Sequence, residues 1–333
     1  MKDFAGKITF ITGGASGAGL GQAKLFGSLG AKITIADIRQ EAIDKALEEL
    51  KGMGIDALGI HLDITDRQQY IAAADKVEEY WGGPPQLLIQ TAGVNTFGPA
   101  EASTFEDFDW VLGVNLYGVI NGMVIFVPRM IKAYNKVNGE INQEGAHIAI
   151  VSSMGAFSGF ATDAPYSCSK AAVNNLAYSY YDALKPYGIG VTVQCPANIR
   201  SNIGEAIRTR PAHLANTGYY VSEGTINMLK SIHATGMDPV ELAKNLKQAI
   251  ENELPLAIPY PNAEEMLQRE FNKVISYLSV EGMQKLEEEN RKFQEMQAKN
   301  FLQTDTTGIS GPIEAFGQAR PDLDWILPEK RKK

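Results

Sequence analysis

Tyr166 and Lys170 are the residues of this chain whose types and spacing most directly suggest chemistry. Four positions apart on a helix, the two side chains would share one face. A lysine ammonium favours a neighbouring tyrosinate, so we expect it to lower the tyrosine pKa from its ordinary value of about 10. The pair could then exchange protons near neutral pH. Such a pair alone is a weak signal, because it also occurs on solvated helix faces.

A glycine-rich turn near the N-terminus predicts a phosphate site. The run Thr12–Gly19 follows a β-strand pattern directly and opens a helix pattern. Glycine permits a tight turn and a close backbone approach, and the N-terminus of the following helix offers N–H groups and a positive dipole end to phosphates. This setting favours a dinucleotide site over a plain turn, with Gly13, Ser16, Gly17 and Gly19 contacting the cofactor.

Acidic residues at the ends of the next two strand patterns predict which dinucleotide binds. Asp37 can accept hydrogen bonds from the adenosine ribose hydroxyls and would repel a 2′-phosphate, which favours NAD over NADP. Arg39 leaves this choice open, because its side chain could turn toward a phosphate. Asp63 suits the adenine amino group, and a role in a turn or helix cap is the alternative.

Composition limits the class of protein and its partners. The chain has 333 residues, a net charge of -8 and a pI near 5.2, which argues against nucleic acid as the main partner. Its two cysteines, Cys168 and Cys195, indicate a reducing compartment. An apolar signal segment and a run of about 18 apolar residues are both absent, so we expect a cytoplasmic protein without a membrane span. The four histidines lack zinc-ligand spacing, so no metal site is expected.

The order of strand and helix patterns predicts the fold. Short β-branched runs alternate with helical patterns, which is typical of an α/β fold with a doubly wound parallel sheet of the Rossmann type. We count about seven strands within residues 1–261, and we predict that these residues form one domain.

Three segments depart from this alternation. Residues 134–145 are a polar insertion, expected to be a surface loop. Residues 198–236 form a long irregular stretch, and because such loops are usually functional, we expect this one to cover the substrate. Residues 262–333 form a second region, helical over 262–303 and ending in a tail. The helical part is a dimer arm, a lid on the pocket, or a helix that docks on its own domain.

Together these motifs resemble the short-chain dehydrogenase/reductase family. The resemblance implies that Tyr166 is the acid/base and that Lys170 lowers its pKa and binds the nicotinamide ribose. It implies that Ser153, rather than the adjacent Ser152, hydrogen-bonds the substrate oxygen. Asn115 matches the asparagine that holds a water in the proton relay or pins a helix kink.

The same resemblance extends the cofactor site. Ala92, Gly93 and Ile199 match the family's positions facing the nicotinamide. One departure is Gln90-Thr91, which stands where the family commonly has two asparagines. We therefore expect the usual asparagine strut between strands to be lost, although threonine can still donate one hydrogen bond.

A narrower resemblance concerns the substrate. Several separated motifs are similar to the Cα-dehydrogenases of bacterial lignin β-aryl-ether breakdown, among them Asn95-Thr-Phe-Gly-Pro99, Phe126-Val-Pro-Arg-Met130 and Pro196-Ala-Asn-Ile-Arg-Ser-Asn-Ile203. This implies NAD-dependent oxidation of a benzylic secondary alcohol, with a small aryl alcohol as partner. Five aromatic residues could stack on the aryl ring or belong to the core: Phe97, Phe157, Phe160, Tyr219 and Tyr220.

Two other functions fit the same residues. One is a ketone reductase or dehydrogenase for steroid-like or acyl substrates, and the other is a non-catalytic protein that senses dinucleotides. The family resemblance also implies a homodimer or homotetramer, paired through helices near residues 107–130 and 163–184.

Overall fold

The computed structural model describes residues 1–134 and 145–301, with side chains to residue 296. The core of the predicted surface loop, residues 135–144, lies outside the described residues. So does the end of the predicted C-terminal region, from residue 302 onward.

One parallel sheet of seven strands forms the centre of the fold. The strands are β1 (Ile8–Thr12), β2 (Lys32–Asp37), β3 (Ala57–His61), β4 (Leu87–Gln90), β5 (Ala146–Val151), β6 (Ile189–Gln194) and β7 (Leu256–Ala257). Their order across the sheet is β3-β2-β1-β4-β5-β6-β7. The chain order reverses between β1 and β4, and in open α/β sheets ligands bind outside the carboxyl ends of the strands at this point. The predicted α/β fold is confirmed.

Helices cover both faces of the sheet. In chain order, the helices of the described residues are α1 (Gly17–Ser28), α2 (Gln40–Gly52), α3 (Arg67–Trp81), α4 (Phe105–Leu112), α5 (Gly118–Tyr134), α6 (Ala164–Leu184), α7 (Glu223–Ala234), α8 (Pro239–Glu251), α9 (Ala263–Ser276) and α10 (Val280–Phe301). On one face, Phe26 of α1 and Leu246 of α8 share a core with Ile11 of β1. On the other face, Phe126 of α5 contacts Phe10. Phe10 is adjacent to Ile11 in β1, and successive side chains of a strand point to opposite faces. Burial on both faces explains why the strands are continuously apolar.

The helical stretch from α4 to α5 is the most apolar part of the described chain. Its residues Phe105–Tyr134 are the one helix, within the part of the chain that the structure describes, that is long and apolar enough to cross a membrane. More than half of its most apolar 18 residues are buried inside the protein. Met123 and Phe126 lie fully in the core, which accounts for the apolar composition.

The structure corrects the expectation for residues 198–236. We predicted an irregular stretch, but the segment contains two short 3-10 helices and the twelve-residue helix α7. Only Ile226 and Leu229 of α7 are buried, so its sequence shows little helical periodicity. Ser222 caps the helix by accepting a hydrogen bond from the amide of Thr225.

The C-terminal region is helical, as predicted, but it is not a single helix. α9 and α10 are separate helices, and Ser279 begins the second by accepting a hydrogen bond from the Gly282 amide. They belong to a compact unit that starts at Pro259, whereas residues Met1–Ile258 form another. Within the second unit, the Arg269 guanidinium lies 4.2 Å from the centre of the Phe293 ring.

Candidate active site

The glycine turn between β1 and α1 has no room for side chains. Gly13 and Gly17 have φ angles of 64° and 49°, a region that glycine adopts without strain. A Cβ on Gly13 would lie 2.8 Å from the Cα of Ala92, and one on Gly19 would lie 2.2 Å from the carbonyl oxygen of Gly13. The Ser16 side chain does not cap α1. The turn therefore presents bare backbone at a helix N-terminus, as the sequence predicts for a phosphate site.

The Arg39 side chain points toward the glycine turn and contacts Asp37 and Ser16. Its Nε lies 3.1 Å from Oδ1 of Asp37 in an ion pair, and its guanidinium also donates to the hydroxyl of Ser16 at 2.8 Å. Asp37 ends β2 and is 7% exposed. A carboxylate and a cation therefore lie side by side where the adenosine ribose is expected.

Asp63 follows β3 and makes a local turn. One of its carboxylate oxygens accepts hydrogen bonds from both the amide and the hydroxyl of Thr65, at 2.9 and 2.7 Å. This is the turn role that the sequence left open, and contact with adenine stays a prediction.

Ser153, Tyr166 and Lys170 meet beyond the carboxyl end of β5. A Cβ on Gly155 would lie 3.4 Å from the Ser153 hydroxyl and 3.8 Å from the Tyr166 ring, so these two side chains adjoin. The Lys170 Nζ lies 5.5 Å from the centre of the Tyr166 ring and donates to the carbonyl oxygen of Val151 at 3.0 Å. Ser152 is engaged elsewhere, because its hydroxyl donates to the Lys170 carbonyl oxygen at 3.1 Å. The structure thus brings together the three residues that the resemblance names.

Burial alters the expected titration of this pair. It raises the pKa of Tyr166 to about 12, against a smaller lowering by the hydrogen bond to Ser153. Burial also lowers the pKa of Lys170 to about 8. The expected lowering of the tyrosine pKa by the lysine is therefore not found, because the loss of solvent on burial is the largest effect on this phenol.

Asn115 ties three parts of the site together. It is fully buried in the single π-helical turn Gly113–Tyr117 between α4 and α5. Its Oδ1 accepts from the Val94 amide at 2.8 Å, and its Nδ2 donates to the Val94 carbonyl oxygen at 2.9 Å and to the hydroxyl of Ser169 at 3.0 Å. Its side chain thus pins the helix kink to the loop after β4, and a role in a water relay stays a prediction.

The loop after β4 connects the glycine turn with the tyrosine and lysine. The amides of Thr91 and Ala92 donate to a threonine hydroxyl at the end of β1. The Thr91 hydroxyl donates to the side-chain oxygen of Gln22 at 2.6 Å, so the threonine donates one hydrogen bond as expected, but to helix α1 rather than to a neighbouring strand. A Cβ on Gly93 would lie 3.5 Å from the Lys170 Nζ.

Comparison with known proteins assigns the family. Residues 7–212 match the family model described as short chain dehydrogenase. The chain belongs to the short-chain dehydrogenase family.

The relatives of this short-chain dehydrogenase include one of high similarity. A C alpha-dehydrogenase from Sphingobium sp. (strain NBRC 103272 / SYK-6) is 53% identical over 275 residues, which cover 83% of this chain and 87% of that protein. The crystal structure of the LigD apo form from Sphingobium sp. strain SYK-6 has a TM-score of 0.67 and 47% identity, covering 82% of this chain and 97% of that one. A short-chain dehydrogenase from Burkholderia phymatum in complex with NAD has a TM-score of 0.73 and 28% identity, covering 80% and 94%.

Sequence reasoning missed Ser201 of this dehydrogenase. A Cβ on Gly17 would lie 2.9 Å from the Ser201 Cβ, so the chain after β6 rests on the glycine turn. The Ser201 hydroxyl is buried and has no hydrogen-bond partner among the described residues. It is therefore a free donor beside the predicted phosphate site. Its only sequence signal is a hydroxyl residue shortly after a strand, which is too common to single out.

The segment around Ile199 follows β6 and bends on either side of this residue. Ile199 makes an isolated parallel bridge with Met237, whose amide donates to the carbonyl oxygen of Asn198 at 3.0 Å. The Nδ1 atom of His233 in α7 lies 2.9 Å from Oδ1 of Asn198. These contacts hold the backbone that the resemblance assigns to the nicotinamide, and that assignment stays a prediction.

The aromatic residues proposed for the substrate differ in their surroundings. A Cβ on Gly155 would lie within 4 Å of the Ser153 hydroxyl, the Tyr166 ring and the Phe160 ring, so Phe160 adjoins the reactive side chains. Phe160 is 48% exposed and has room for a ligand. Tyr219 instead is buried, and its hydroxyl donates to the carbonyl oxygen of Pro99.

Part of segment 198–236 lies against the tyrosine. Ala206 is buried in an apolar cluster with Val94 of the loop after β4, and Tyr166, Ile207 and Leu214 pack against this cluster. The two short 3-10 helices of the segment therefore pack against the same apolar cluster as Tyr166.

Proposed function

We propose that this short-chain dehydrogenase oxidises a benzylic secondary alcohol to an aryl ketone, with NAD as the hydride acceptor. The observation that carries the proposal is the adjoining pair of Ser153 and Tyr166 with Lys170 beside it. The substrate class is supported by the 53% identity to a C alpha-dehydrogenase over most of both chains. Phe160, half-exposed beside that pair, offers a ring face to an aryl group.

The residues present fit a dinucleotide. The glycines leave the turn open, since a Cβ at Gly13 or Gly19 would clash with neighbouring backbone. Asp37 is the last residue of β2. The buried hydroxyl of Ser201 is free to donate to a phosphate. Asp37 would hold the adenosine ribose, and Ala92, Gly93 and Ile199 would lie along the nicotinamide end. Bound NAD supplies the hydride acceptor and a positive charge that favours a neighbouring tyrosinate.

The side chains divide the remaining work. Ser153 and Tyr166 orient the alcohol oxygen, and the Tyr166 oxygen accepts its proton. Lys170 stabilises the tyrosinate, and its lowered pKa of about 8 lets it pass the proton onward. Asn115 holds the loop after β4 in place. It also holds a water molecule that passes the proton on to solvent.

We extend the proposal to the surroundings of the site. The apolar residues Ala206, Ile207 and Leu214, which share a cluster with Tyr166, cover the substrate and exclude water. The enzyme works in the cytoplasm as a homodimer or homotetramer, paired through the helices near residues 107–130 and 163–184, as in its family.

Replacing the tyrosine tests the chemistry. For Tyr166→Phe we expect turnover of a benzylic alcohol with NAD to fall at least about 100-fold, with the Kd for NAD changed less than about threefold. Tyr178→Phe on the same helix, where the ring is 36% exposed, is the matched control and should retain full activity. Substantial turnover in Tyr166→Phe would refute the assignment.

A substrate panel separates the competing enzymes. The initial rate of NADH formation is measured on aryl-propanediol ethers, simple benzylic alcohols and hydroxysteroids. We expect the aryl ethers to give the highest kcat/KM. A preference for hydroxysteroids would favour the steroid-type alternative, and the absence of NADH with every alcohol would favour a nucleotide sensor.

A further inference from the structure

The helix α9 carries an apolar stripe that faces outward. Phe271, Val274 and Ile275 are spaced i, i+3, i+4, which places them on one side of α9, and Leu278 follows in the turn after the helix. They are 59%, 63%, 60% and 84% exposed. A stripe of this spacing is the side that a helix of a water-soluble protein normally buries.

The stripe residues are more exposed than some charged residues of α9. Glu270 and Lys273 of the same helix are only partly exposed, whereas the four stripe residues are exposed. The apolar surface continues around the turn into α10 through Tyr277, Val280 and Met283, which are 54%, 75% and 44% exposed. We call these seven side chains the α9 stripe. None of them carries a charge at neutral pH.

The size of the α9 stripe matches that of a protein interface. Seven large side chains at these exposures leave roughly 100 Å² each, or about 700 Å² together, close to the roughly 800 Å² per partner of a standard interface. The largest apolar patch on a typical monomer is about 300–600 Å². The stripe is therefore large enough for a stable contact and larger than a solvated surface ordinarily shows.

We infer that the α9 stripe binds the same stripe of a second copy of this chain across a two-fold axis. In such a contact a single surface serves both partners, so residue i meets j where j meets i. Two antiparallel α9 helices crossing near Ile275 would set Phe271 of each copy against Leu278 of the other. The uncharged stripe brings no like charges together, and antiparallel helices align their dipoles favourably. This contact uses residues other than those of the candidate active site and of the helices of the proposed family interface.

A charge placed in the stripe tests the inference. For Ile275→Asp we expect the molar mass in solution to fall by half relative to the unchanged chain, measured by light scattering during size exclusion at the same concentration. Asn272→Asp adds the same charge to the same helix outside the stripe, and should leave the mass unchanged. Unaltered circular dichroism and NAD binding in both variants show that each is folded.

A disulfide across the axis gives a second measurement that does not depend on weakening the contact. In a Cys168→Ser background, Ile275→Cys should form a dimer on a non-reducing gel when a diazene thiol oxidant accepts two electrons and two protons from the two thiols. Glu289→Cys, exposed on α10, is the control and should stay monomeric under the same mild oxidation.

Two results would overturn the inference. One is an unchanged mass for Ile275→Asp together with no disulfide-linked dimer for Ile275→Cys. The other is that Ile275→Asp halves the molar mass only in a chain that lacks residues 302–333. The chain's own C-terminal residues would then be what covers the stripe in the full chain. Both readouts are independent of turnover, so loss of the proposed activity would leave them intact.

Discussion

At the residue scale, Asp37 and Arg39 act in opposite directions on the choice of nucleotide. The carboxylate would repel a 2′-phosphate, whereas the guanidinium beside it would attract one. In the structure the two are paired, with Nε and Oδ1 3.1 Å apart, so each weakens the effect of the other. Asp37 is the more buried partner, with 6% of its side chain exposed against 36% for Arg39.

This pairing predicts a change of cofactor preference from one substitution. Asp37→Ala should free Arg39 for a 2′-phosphate and raise the NADP-to-NAD ratio of kcat/KM by about tenfold or more, which corresponds to about 1.4 kcal/mol. The double variant Asp37→Ala with Arg39→Ala is the control and should lose most of that gain. Equal ratios in the single and double variants would show that Arg39 contributes nothing to phosphate binding.

Asp163, which precedes α6, is a second charged residue with an unusual environment. Burial raises its pKa to about 6, and the hydrogen bond from the Ser167 hydroxyl lowers it by less. The folded protein therefore holds this proton at a pH where the unfolded chain has released it. The resulting stabilisation is present below about pH 4 and is lost as the pH rises through about 6.

A pH-dependent gain of stability follows for Asp163→Asn. The amide keeps an acceptor for Ser167 but never carries the buried charge. We expect the variant to exceed the wild type in unfolding free energy by about 1–2 kcal/mol near pH 8, with less difference near pH 5, in urea titrations at both values. The exposed Asp182→Asn on the same helix should show no such pH dependence. A difference that does not change with pH would contradict this account.

At the element scale, a buried ion pair joins the segment 198–236 to α4. Arg210 lies 2.8 Å from Asp107, and both side chains are almost fully buried. The same Asp107 oxygen accepts a hydrogen bond from the Tyr219 amide, and the Arg210 guanidinium lies 5.2 Å from the centre of the Trp110 ring. The 3-10 helices that pack beside Tyr166 are thus held by a charge pair that solvent does not screen.

Removing the cation should disturb both stability and substrate binding. Arg210→Leu leaves a buried carboxylate unpaired, so we expect the unfolding free energy to fall by about 3–5 kcal/mol. The KM for the alcohol should rise more than the KM for NAD, because the segment beside Tyr166 loses its anchor. Urea unfolding and steady-state kinetics measure the two effects.

The matched control lies two residues away. Arg208 pairs with Glu205 and Glu223 but is 49% exposed, so Arg208→Ala should change stability by less than about 1 kcal/mol. Similar losses for Arg208→Ala and Arg210→Leu would show that burial does not decide the strength of these pairs.

At the scale of the whole molecule, the sheet and the cofactor-side residues all lie in the unit Met1–Ile258. A chain that ends at residue 261 should therefore unfold cooperatively in calorimetry and bind NAD with a Kd within about threefold of the full chain, since its core is complete. Loss of cooperative unfolding would show that the division at residue 261, a prediction from sequence, is wrong.

Some features were predictable because they depend on neighbours in sequence. The glycine turn, Asp37 at a strand end and the four-residue spacing of Tyr166 and Lys170 are local patterns, and the alternation of strands and helices is enough to predict a parallel sheet. The helix α7 escaped prediction because its buried residues are few, and the break between α9 and α10 because a serine cap is a weak signal.

The sequence by itself determined which residue types stand at the ends of which strands, and therefore the family and the kind of cofactor. Only the tertiary structure decided their physical state: the burial that raises the pKa of Tyr166, the pairing of Arg39 with Asp37, the position of Ser201 on the glycine turn and the outward face of α9. Each of these depends on how much water a side chain loses and which distant groups surround it. Both are set by packing between elements far apart in the chain.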